Sequence, residues 1–250
     1  NVRTGFSVKA EGNIEVAGVV EGAILEAGGD IIIARGVNGM GRGKLSAQGN
    51  IISKFIENAH VSSGGYIQAE AILHSKVAAK GDIEAIGRKA NITGGSVCSG
   101  TMISAKTIGS PMGTDTFIEV GIDPALKARY NQLQMELIEA KKNVNNMQPI
   151  LTSLTKKLSA GDRLTPEQLK YLQQLAQSCK AFQQQIVSNE QEIDSLAELM
   201  SNDTVAQIKV FHEIYQGTKI TISDVSMYVK QGCSHCRFIK SQGDVKMVNL

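Results

Sequence analysis

The chain has 250 residues, enough for one large domain with an extension, and a formal net charge of +2. Basic and acidic side chains balance, with 11 of each over residues 1–121, and this balance argues against a dedicated nucleic-acid surface. No apolar run reaches the length of a transmembrane helix, and four cysteines are too few for a disulfide framework.

A nine-residue unit recurs along the first half of the chain. It places aliphatic, small, glycine and Ile/Val residues at alternating positions. The units begin 17, 20, 16, 16 and 20 residues apart. They are Val8–Val16, Leu25–Ile33, Leu45–Ser53, Val61–Ala69, Val77–Ala85 and Val97–Ala105, and the pattern returns at Ile239–Met247.

This repeat predicts a parallel, right-handed β-helix. Alternation of period two is typical of a strand with one buried face, and repetition at a near-fixed interval indicates stacked coils. Scarce aromatic residues (4%) and the absence of tryptophan suit a narrow core. Stacking should align one column of isoleucines at the strand spacing of about 4.8 Å. That column is Ile14, Ile31, Ile51, Ile67, Ile83 and Ile103.

The variable coil length predicts loops, the clearest being the glycine-rich, basic segment 36–44. It does not match a phosphate-binding loop, since Asn38 stands where the first glycine belongs and Leu45 replaces the Ser/Thr after Lys44. We interpret it as a flexible corner, with anion binding as the alternative.

Composition changes abruptly near Gly121, since 21 of the 25 glycines lie at or before it. Two heptad seams follow, typical of a coiled coil. They are Leu126, Tyr130, Leu133, Leu137, Ala140, Val144, Met147, Leu151, Leu154 and Leu158, and then Leu172, Leu175, Cys179, Phe182, Ile186, Asn189, Ile193, Leu196 and Met200. Between them, residues 159–164 predict a loop, and Thr165-Pro166-Glu167-Gln168 predicts a helix start with a capping box.

We therefore predict an antiparallel coiled-coil hairpin, residues 122–202, inserted before the last coils of one discontinuous β-helix domain, residues 1–121 plus 203–250. Lys127 and Arg129 should lie near Glu192, Asp194 and Glu198. Pro149 should kink or split the first helix near Gln148, and Asn189 on the seam would specify register. Such a hairpin is a spacer, or a docking arm for another protein or a second copy.

Cys233-Ser234-His235-Cys236 is the sharpest chemical motif. Two cysteines this close can share a metal or cycle as a dithiol, and Cys233, His235 and Cys236 are weak metal-ligand candidates. A structural zinc site needs four ligands, and the sequence has no second cysteine pair. A corner loop is therefore the preferred interpretation.

Two histidines and two aspartates are the other candidates for chemistry. His60 and His74 are expected on coil corners, and a solenoid acyltransferase would use such a histidine, but the 16-to-20-residue spacing departs from the even coil of those enzymes. Asp30 and Asp82 each follow a glycine and are expected on the solvated face rather than in a sugar-cleaving dyad. We therefore predict no catalytic residue and no cofactor, and the sequence leaves the partner-binding residues unknown.

Several segments resemble the flagellar assembly protein A family of bacteria. They are Phe55–Val61, Gly64–Ile67, Ala71–Val77, Ile92–Gly95, Lys106–Ser110 and Phe117–Gly121. The resemblance implies a β-solenoid with an inserted helical segment, preceded by an N-terminal domain. It also implies a role in flagellation and polar organisation through partner binding, without known catalytic residues. The solenoid is similar to that of bactofilins, which polymerise end to end.

These observations predict a non-enzymatic bacterial scaffold, cytoplasmic and polar, that presents a coiled-coil arm to protein partners of the flagellar or polar apparatus. Homo-oligomers through the solenoid ends or the hairpin are also expected, without nucleic-acid binding or membrane insertion. A self-polymerising, bactofilin-like protein is the alternative, followed by a solenoid acyltransferase or carbohydrate-active enzyme. Because the chain begins at Asn1 without methionine, we expect it to be a piece of a longer protein whose preceding region holds part of the function.

Overall fold

The computed structural model describes residues 1–161, 165–201 and 205–250, and these ranges contain 19 strands and two helices. The strands before the helices are β1 (Ser7–Ala10), β2 (Ile14–Val16), β3 (Val19–Glu21), β4 (Ile24–Ala27), β5 (Ile31–Ile33), β6 (Gly36–Ala47), β7 (Ile51–Ser53), β8 (Phe55–Ser63), β9 (Ile67–Ala69), β10 (Ala71–Ala79), β11 (Ile83–Ala85), β12 (Asn91–Ser99), β13 (Met102–Ile108) and β14 (Thr116–Val120). Helices α1 (Pro124–Ser159) and α2 (Pro166–Ser201) follow. The last strands are β15 (Gln207–Ile214), β16 (Lys219–Ile222), β17 (Val225–Tyr228), β18 (Cys236–Ser241) and β19 (Asp244–Asn249).

The coils of the predicted solenoid stack in parallel and form three faces. The first face contains β1, β4, β14, β16 and the second halves of β6, β8, β10 and β12. The second face contains β2, β5, β7, β9, β11 and the first parts of β13 and β15. The third face contains β3, the first parts of β6, β8, β10 and β12, and the ends of β13 and β15. The predicted parallel β-solenoid is confirmed.

A column of stacked aliphatic side chains fills the core behind each face. On the second face the register aligns Ile14, Ile31, Ile51, Ile67, Ile83 and Ile103, as predicted, and adds Ile208. All seven are buried. Because Ile208 lies beyond the helices in sequence, it shows that the strand after the insertion continues the same stack.

The helices interrupt the solenoid at a corner. β14 lies on the first face beside β12, and β15 begins on the second face, with Gln207 beside Met102 and Ile208 beside Ile103. The chain therefore leaves the stack where it would turn from the first face to the second, and returns in register. Strand β16 then completes this last coil beside β14.

The repeat at Ile239–Met247 does not form a coil, so that part of the prediction is wrong. β18 and β19 form an antiparallel hairpin, and Gln242 and Gly243 turn it with positive φ angles of 55° and 79°. β18 pairs antiparallel with β15, and β17 pairs antiparallel with β16. These strands cover the outer edge of the last coil.

The glycine-rich segment 36–44 lies within a strand, and the expected excursion from the wall is confined to its exposed residues 40–42. It lies within β6, where Val37 is fully buried, and the irregularity is a bulge between Asn38 and Gly43 in the pairing with β8. The backbone passes close to the next coil here, because a Cβ on Gly39 would lie 2.3 Å from the carbonyl oxygen of Asn58. Small residues permit this approach.

Helices α1 and α2 form the predicted hairpin, with seam residues facing inward. Leu133, Leu137, Ile193 and Leu196 form its buried cluster. The capping box is confirmed: the Thr165 N–H donates to Gln168 Oε1 at 3.0 Å, and the Gln168 N–H donates to Thr165 Oγ1 at 3.3 Å. Residues 162–164 of the predicted loop lie outside the described residues.

Two details of the hairpin differ from a regular coiled coil. Of the kink or split expected at Pro149, the split is wrong, since α1 continues from Pro124 to Ser159, and the kink stays a prediction. Proline removes one backbone donor, and the helix nevertheless continues for ten residues beyond it. The predicted Asn189 is buried on the seam, and its Nδ2 has no hydrogen-bond partner among the described residues.

The chain divides into two compact units, residues 1–125 with 203–250, and residues 126–202. The first contains the solenoid and its covering strands, and the second contains the helical hairpin. The predicted boundary between residues 202 and 203 lies outside the described residues.

Candidate functional site

The cysteine motif lies where the covering strands meet the last coil. Cys233 exchanges backbone hydrogen bonds with Ile214, at 2.9 and 3.2 Å, and Cys236 begins β18 opposite Val210. These anchors place the two Sγ atoms 3.5 Å apart. His235 has a positive φ of 50° in the tight connection between the cysteines. The sequence therefore folds as a corner that brings the two thiols together.

The thiols differ in their surroundings. Cys236 is 1% exposed and Cys233 is half-buried. Burial, together with the neighbouring Cys233, raises the pKa of Cys236 to about 12. Within the described ranges, no group of three or more His, Cys, Asp or Glu side chains is placed to hold a metal ion. Metal binding by Cys233, His235 and Cys236 stays a prediction.

The contrast between the two thiols predicts unequal alkylation. At about pH 8, a thiol with a pKa of about 12 is ionised in only about one molecule in ten thousand, and the thiolate is the nucleophile. We expect iodoacetamide to modify Cys233 at least about tenfold faster than Cys236 in the native protein, as measured by peptide mass spectrometry. In denaturant the two rates should converge. Equal alkylation rates of Cys233 and Cys236 in the native protein would contradict the burial of Cys236.

The two candidate histidines occupy different positions. His74 lies at a coil corner with a φ of 46°, as expected, whereas His60 lies within β8 rather than on a corner. On the first face His60 stacks between Lys44 and Lys76, beside a shallow groove of about 490 Å³. Both histidines are exposed.

The candidate aspartates belong to a structural ladder on the second face. Asn13 Oδ1 accepts the N–H of Asp30 at 2.8 Å, Asp30 Oδ1 accepts the N–H of Asn50 at 2.6 Å, and Asn50 Oδ1 accepts the N–H of Tyr66 at 3.0 Å. Asp82 accepts the hydroxyl of Thr101 one coil further. Asp30 and Asp82 are three coils apart, roughly 14 Å at the strand spacing. Glycosidase carboxylates lie about 5–9.5 Å apart, so this pair is unsuited to that chemistry.

Two ion pairs join α1 to α2 in the half of the hairpin that contains Pro124 and Ser201, which we call the root. Arg129 donates from Nε and Nη2 to Glu192 at 2.7 and 3.0 Å, as the charge pattern predicted. These hydrogen bonds lower the pKa of Glu192 below its ordinary value. Lys141 Nζ lies 2.8 Å from Glu190 Oε1. Exposed pairs of this kind stabilise weakly, but they specify which helix faces meet.

Large apolar side chains remain exposed on the hairpin, and the heptad seam alone did not predict them. Met135 and Ile138, one turn apart on α1, are 69% and 62% exposed. On α2, Tyr171, Val187 and Leu199 are also exposed. The sequence signal for them was the presence of apolar residues outside the heptad seam. A coiled coil that serves only as a spacer does not need such residues.

Within the described ranges, neither α1 nor α2 contains an apolar stretch that could span a bilayer. The family model described as the Flagellar Assembly Protein A beta solenoid domain matches residues 1–245. No curated protein and no solved structure matches the chain significantly. The match spans the three-faced solenoid, the helical insertion and nearly all of the covering strands. The chain therefore belongs to the flagellar assembly protein A family, as the resemblance of its coil segments predicted.

Proposed function

We propose that this chain is a non-enzymatic scaffold of flagellar assembly, in which the β-solenoid carries the helical hairpin as a docking arm for a protein partner. The proposal places it in the cytoplasm, near the pole where the flagellar apparatus assembles. The two compact units then act as separate domains, one for support and one for recognition. Membership in the flagellar assembly family supports the cellular setting.

The exposed apolar surface of the hairpin is the observation that carries this function. A simple spacer needs only the buried seam and a polar exterior. This hairpin has its buried cluster and also keeps Met135, Ile138 and Val187 exposed. Met135 and Ile138, one turn apart on α1, together offer an apolar pair that a partner can cover.

A scaffold also accounts for the candidate chemical residues better than an enzyme does. Asp30 and Asp82 hold neighbouring coils together through backbone N–H groups and side-chain hydroxyls. The buried thiol of Cys236 is protonated at neutral pH because its pKa is raised to about 12, which makes it a poor nucleophile. Both arrangements support a structural role.

The alternative, end-to-end polymerisation, is disfavoured by the covering strands. Filaments of stacked coils need a free edge at each solenoid end. Here β17 occupies the edge of β16, and β18 occupies the edge of β15. We expect light scattering to give a mass that stays constant as concentration rises. Continuous growth without a fixed stoichiometry would favour the filament.

Removing the hairpin tests the docking arm. We expect that replacing residues 125–200 with a short Gly/Ser bridge leaves the solenoid folded, because β14 and β15 keep their parallel neighbours β12 and β13. Partner capture should be lost, since the recognition surface is gone. Circular dichroism would report the strands, and quantitative pulldown from a flagellated bacterium would report capture.

A matched control keeps the hairpin and changes only the solenoid surface. Lys44→Ala with Lys76→Ala alters two exposed side chains on the first face without touching the helices. This variant should capture the partner as the parent chain does. Full capture by the hairpin-less chain would show that the arm is not the docking site.

A further inference from the structure

The half of the hairpin nearest the turn between the helices contains an open groove. We call it the distal groove, and it has a volume of about 440 Å³. It is lined by Leu151, Thr152, Thr155, Ala176 and Cys179, together with the polar side chains of Gln148, Ser159 and Gln183. Lys156 and Lys180 line it as well, one from each helix. The groove lies entirely within the helical unit.

Small side chains leave this groove open. Nearer the root, the seam carries Leu133, Leu137, Ile193 and Leu196, which are large enough to fill the space between the helices. In the distal half the seam also carries large residues such as Leu154, Leu175 and Phe182, but α2 lines the groove with the small Ala176 and Cys179. Helices at ordinary packing distance need larger side chains than these to close both sides of the seam.

The lining of the groove is more apolar than its composition suggests. The Thr152 hydroxyl donates to the carbonyl of Gln148 at 2.8 Å, and the Thr155 hydroxyl donates to the carbonyl of Leu151 at 2.7 Å. These back-bonded hydroxyls are satisfied within α1, so the threonines offer their methyl groups to an occupant. Together with Leu151 and Cys179 they form an apolar surface.

The charge around the groove is positive. Between residues 145 and 183 the sequence has five basic and two acidic residues. Lys156 and Lys180 form no ion pair within the described ranges, whereas Arg129 and Lys141 at the root are both paired with glutamates. The distal groove therefore combines an apolar floor with two unpaired cations at its sides.

We propose that the distal groove binds an amphipathic, acidic helix of a partner protein. Apolar side chains spaced three and four residues apart would enter the groove, and carboxylates beside them would meet Lys156 and Lys180. A second copy of the hairpin is the poorer occupant, because two tips with the same positive charge repel each other. This inference rests on the proposed function and names the class of partner that the arm recognises.

Direct binding tests the chemistry of the groove. The probe is a fluorescein-labelled synthetic helix of about 18 residues, or five turns, with leucines on one face and glutamates on the other. A second peptide has lysine in place of every glutamate. By fluorescence anisotropy with the full chain, we expect the acidic peptide to bind at least about tenfold more tightly than the basic one. Equal binding of the two peptides would overturn the proposal.

Charge reversal at the groove, with a matched control outside it, tests the location. Lys156→Glu with Lys180→Glu should weaken the acidic peptide about tenfold or more. Lys157→Glu with Lys170→Glu makes the same change in net charge on the same half of the hairpin, at residues that do not line the groove, and should weaken it less than about threefold. Helicity by circular dichroism should be unchanged in both. Equal losses would overturn the groove as the site.

A steric variant tests whether the acidic peptide enters the distal groove or is only attracted by the net charge of the hairpin. Ala176→Leu fills the groove without altering charge and should lower the affinity for the acidic peptide about tenfold, with helicity retained. Unchanged affinity would overturn the proposal, as would concentration-dependent self-association that Ala176→Leu abolishes, since the occupant would then be a second copy.

The partner assay distinguishes this inference from the function on which it rests. If hairpin deletion abolishes capture while Lys156→Glu with Lys180→Glu preserves it, the distal groove is not the recognition site, although the arm is. If hairpin deletion itself preserves capture, the docking-arm function fails, whichever peptide the groove binds.

Discussion

Replacing Ile67 with alanine is expected to lower the free energy of unfolding by about 2–5 kcal/mol. Ile67 is fully buried in the second-face column, between Ile51 and Ile83 of the neighbouring coils. The cavity cannot collapse easily, because ladder hydrogen bonds on both sides hold the coils at the strand spacing. Urea denaturation followed by circular dichroism would measure the loss.

Position in the stack provides an internal comparison for this prediction. Ile14 occupies the same column but stacks on Ile31 alone in the strand register, so Ile14→Ala should cost less than Ile67→Ala. Gln68→Ala changes the neighbouring residue on the outer surface and should alter stability by no more than about 0.5 kcal/mol. Equal costs at Ile14 and Ile67 would show that stability is not built from contacts between adjacent coils.

The sequence was sufficient to predict the solenoid because identical side chains recur in register. The spacing of the repeat units alone aligns Ile14 to Ile103, and each is buried as expected. The third-face column, from Val20 through Val37 and Ile56 to Ile214, was missed. It falls between the nine-residue units, which cover only strands of the first and second faces, so the repeat pattern does not include it.

The error at Ile239–Met247 has a physical origin. Alternation of period two reports only that one face of a strand is buried, and it is the same for parallel and antiparallel pairing. The direction is decided by the turn, and Gln242-Gly243 adopts the positive φ angles of a tight hairpin. The repeat at Ile239–Met247 therefore correctly predicted extended strands, and wrongly predicted that they form a further parallel coil.

The hairpin was predictable where it is regular and unpredictable where it is irregular. A seam that alternates spacings of three and four over many turns has few alternatives to a coiled coil. The distal groove depends instead on the small Ala176 and Cys179 of α2, which leave space between the helices unfilled. Cys179 satisfied the heptad pattern as well as a leucine would, so the pattern gave no sign of the space beside it.

Gly95→Ala is expected to lower the free energy of unfolding by about 2–5 kcal/mol, from two separate causes. Gly95 has a φ of +81°, which an alanine adopts only with strain. A Cβ at this residue would also lie 2.3 Å from the carbonyl oxygen and 2.7 Å from the nitrogen of Ser75, on the neighbouring coil. Because both atoms belong to backbone, relief requires the coils to separate. Urea denaturation would again measure the effect.

Gly113→Ala measures the backbone strain of a positive φ without a steric clash. Gly113 has a φ of +71°, and nothing lies within 4 Å of its added Cβ, so this variant should lose only the strain of about 1–2 kcal/mol. The excess cost at Gly95 then measures how firmly the coils are held together.

Gly95 pairs on its other side with Thr116 of β14, the strand that leads into α1. A coil displaced at Gly95 should therefore impair partner capture although every hairpin residue is unchanged. If Gly95→Ala and Gly113→Ala lost the same free energy of unfolding, the coils would move apart around an added methyl group at little cost. The solenoid would then be too easily deformed to support a docking arm.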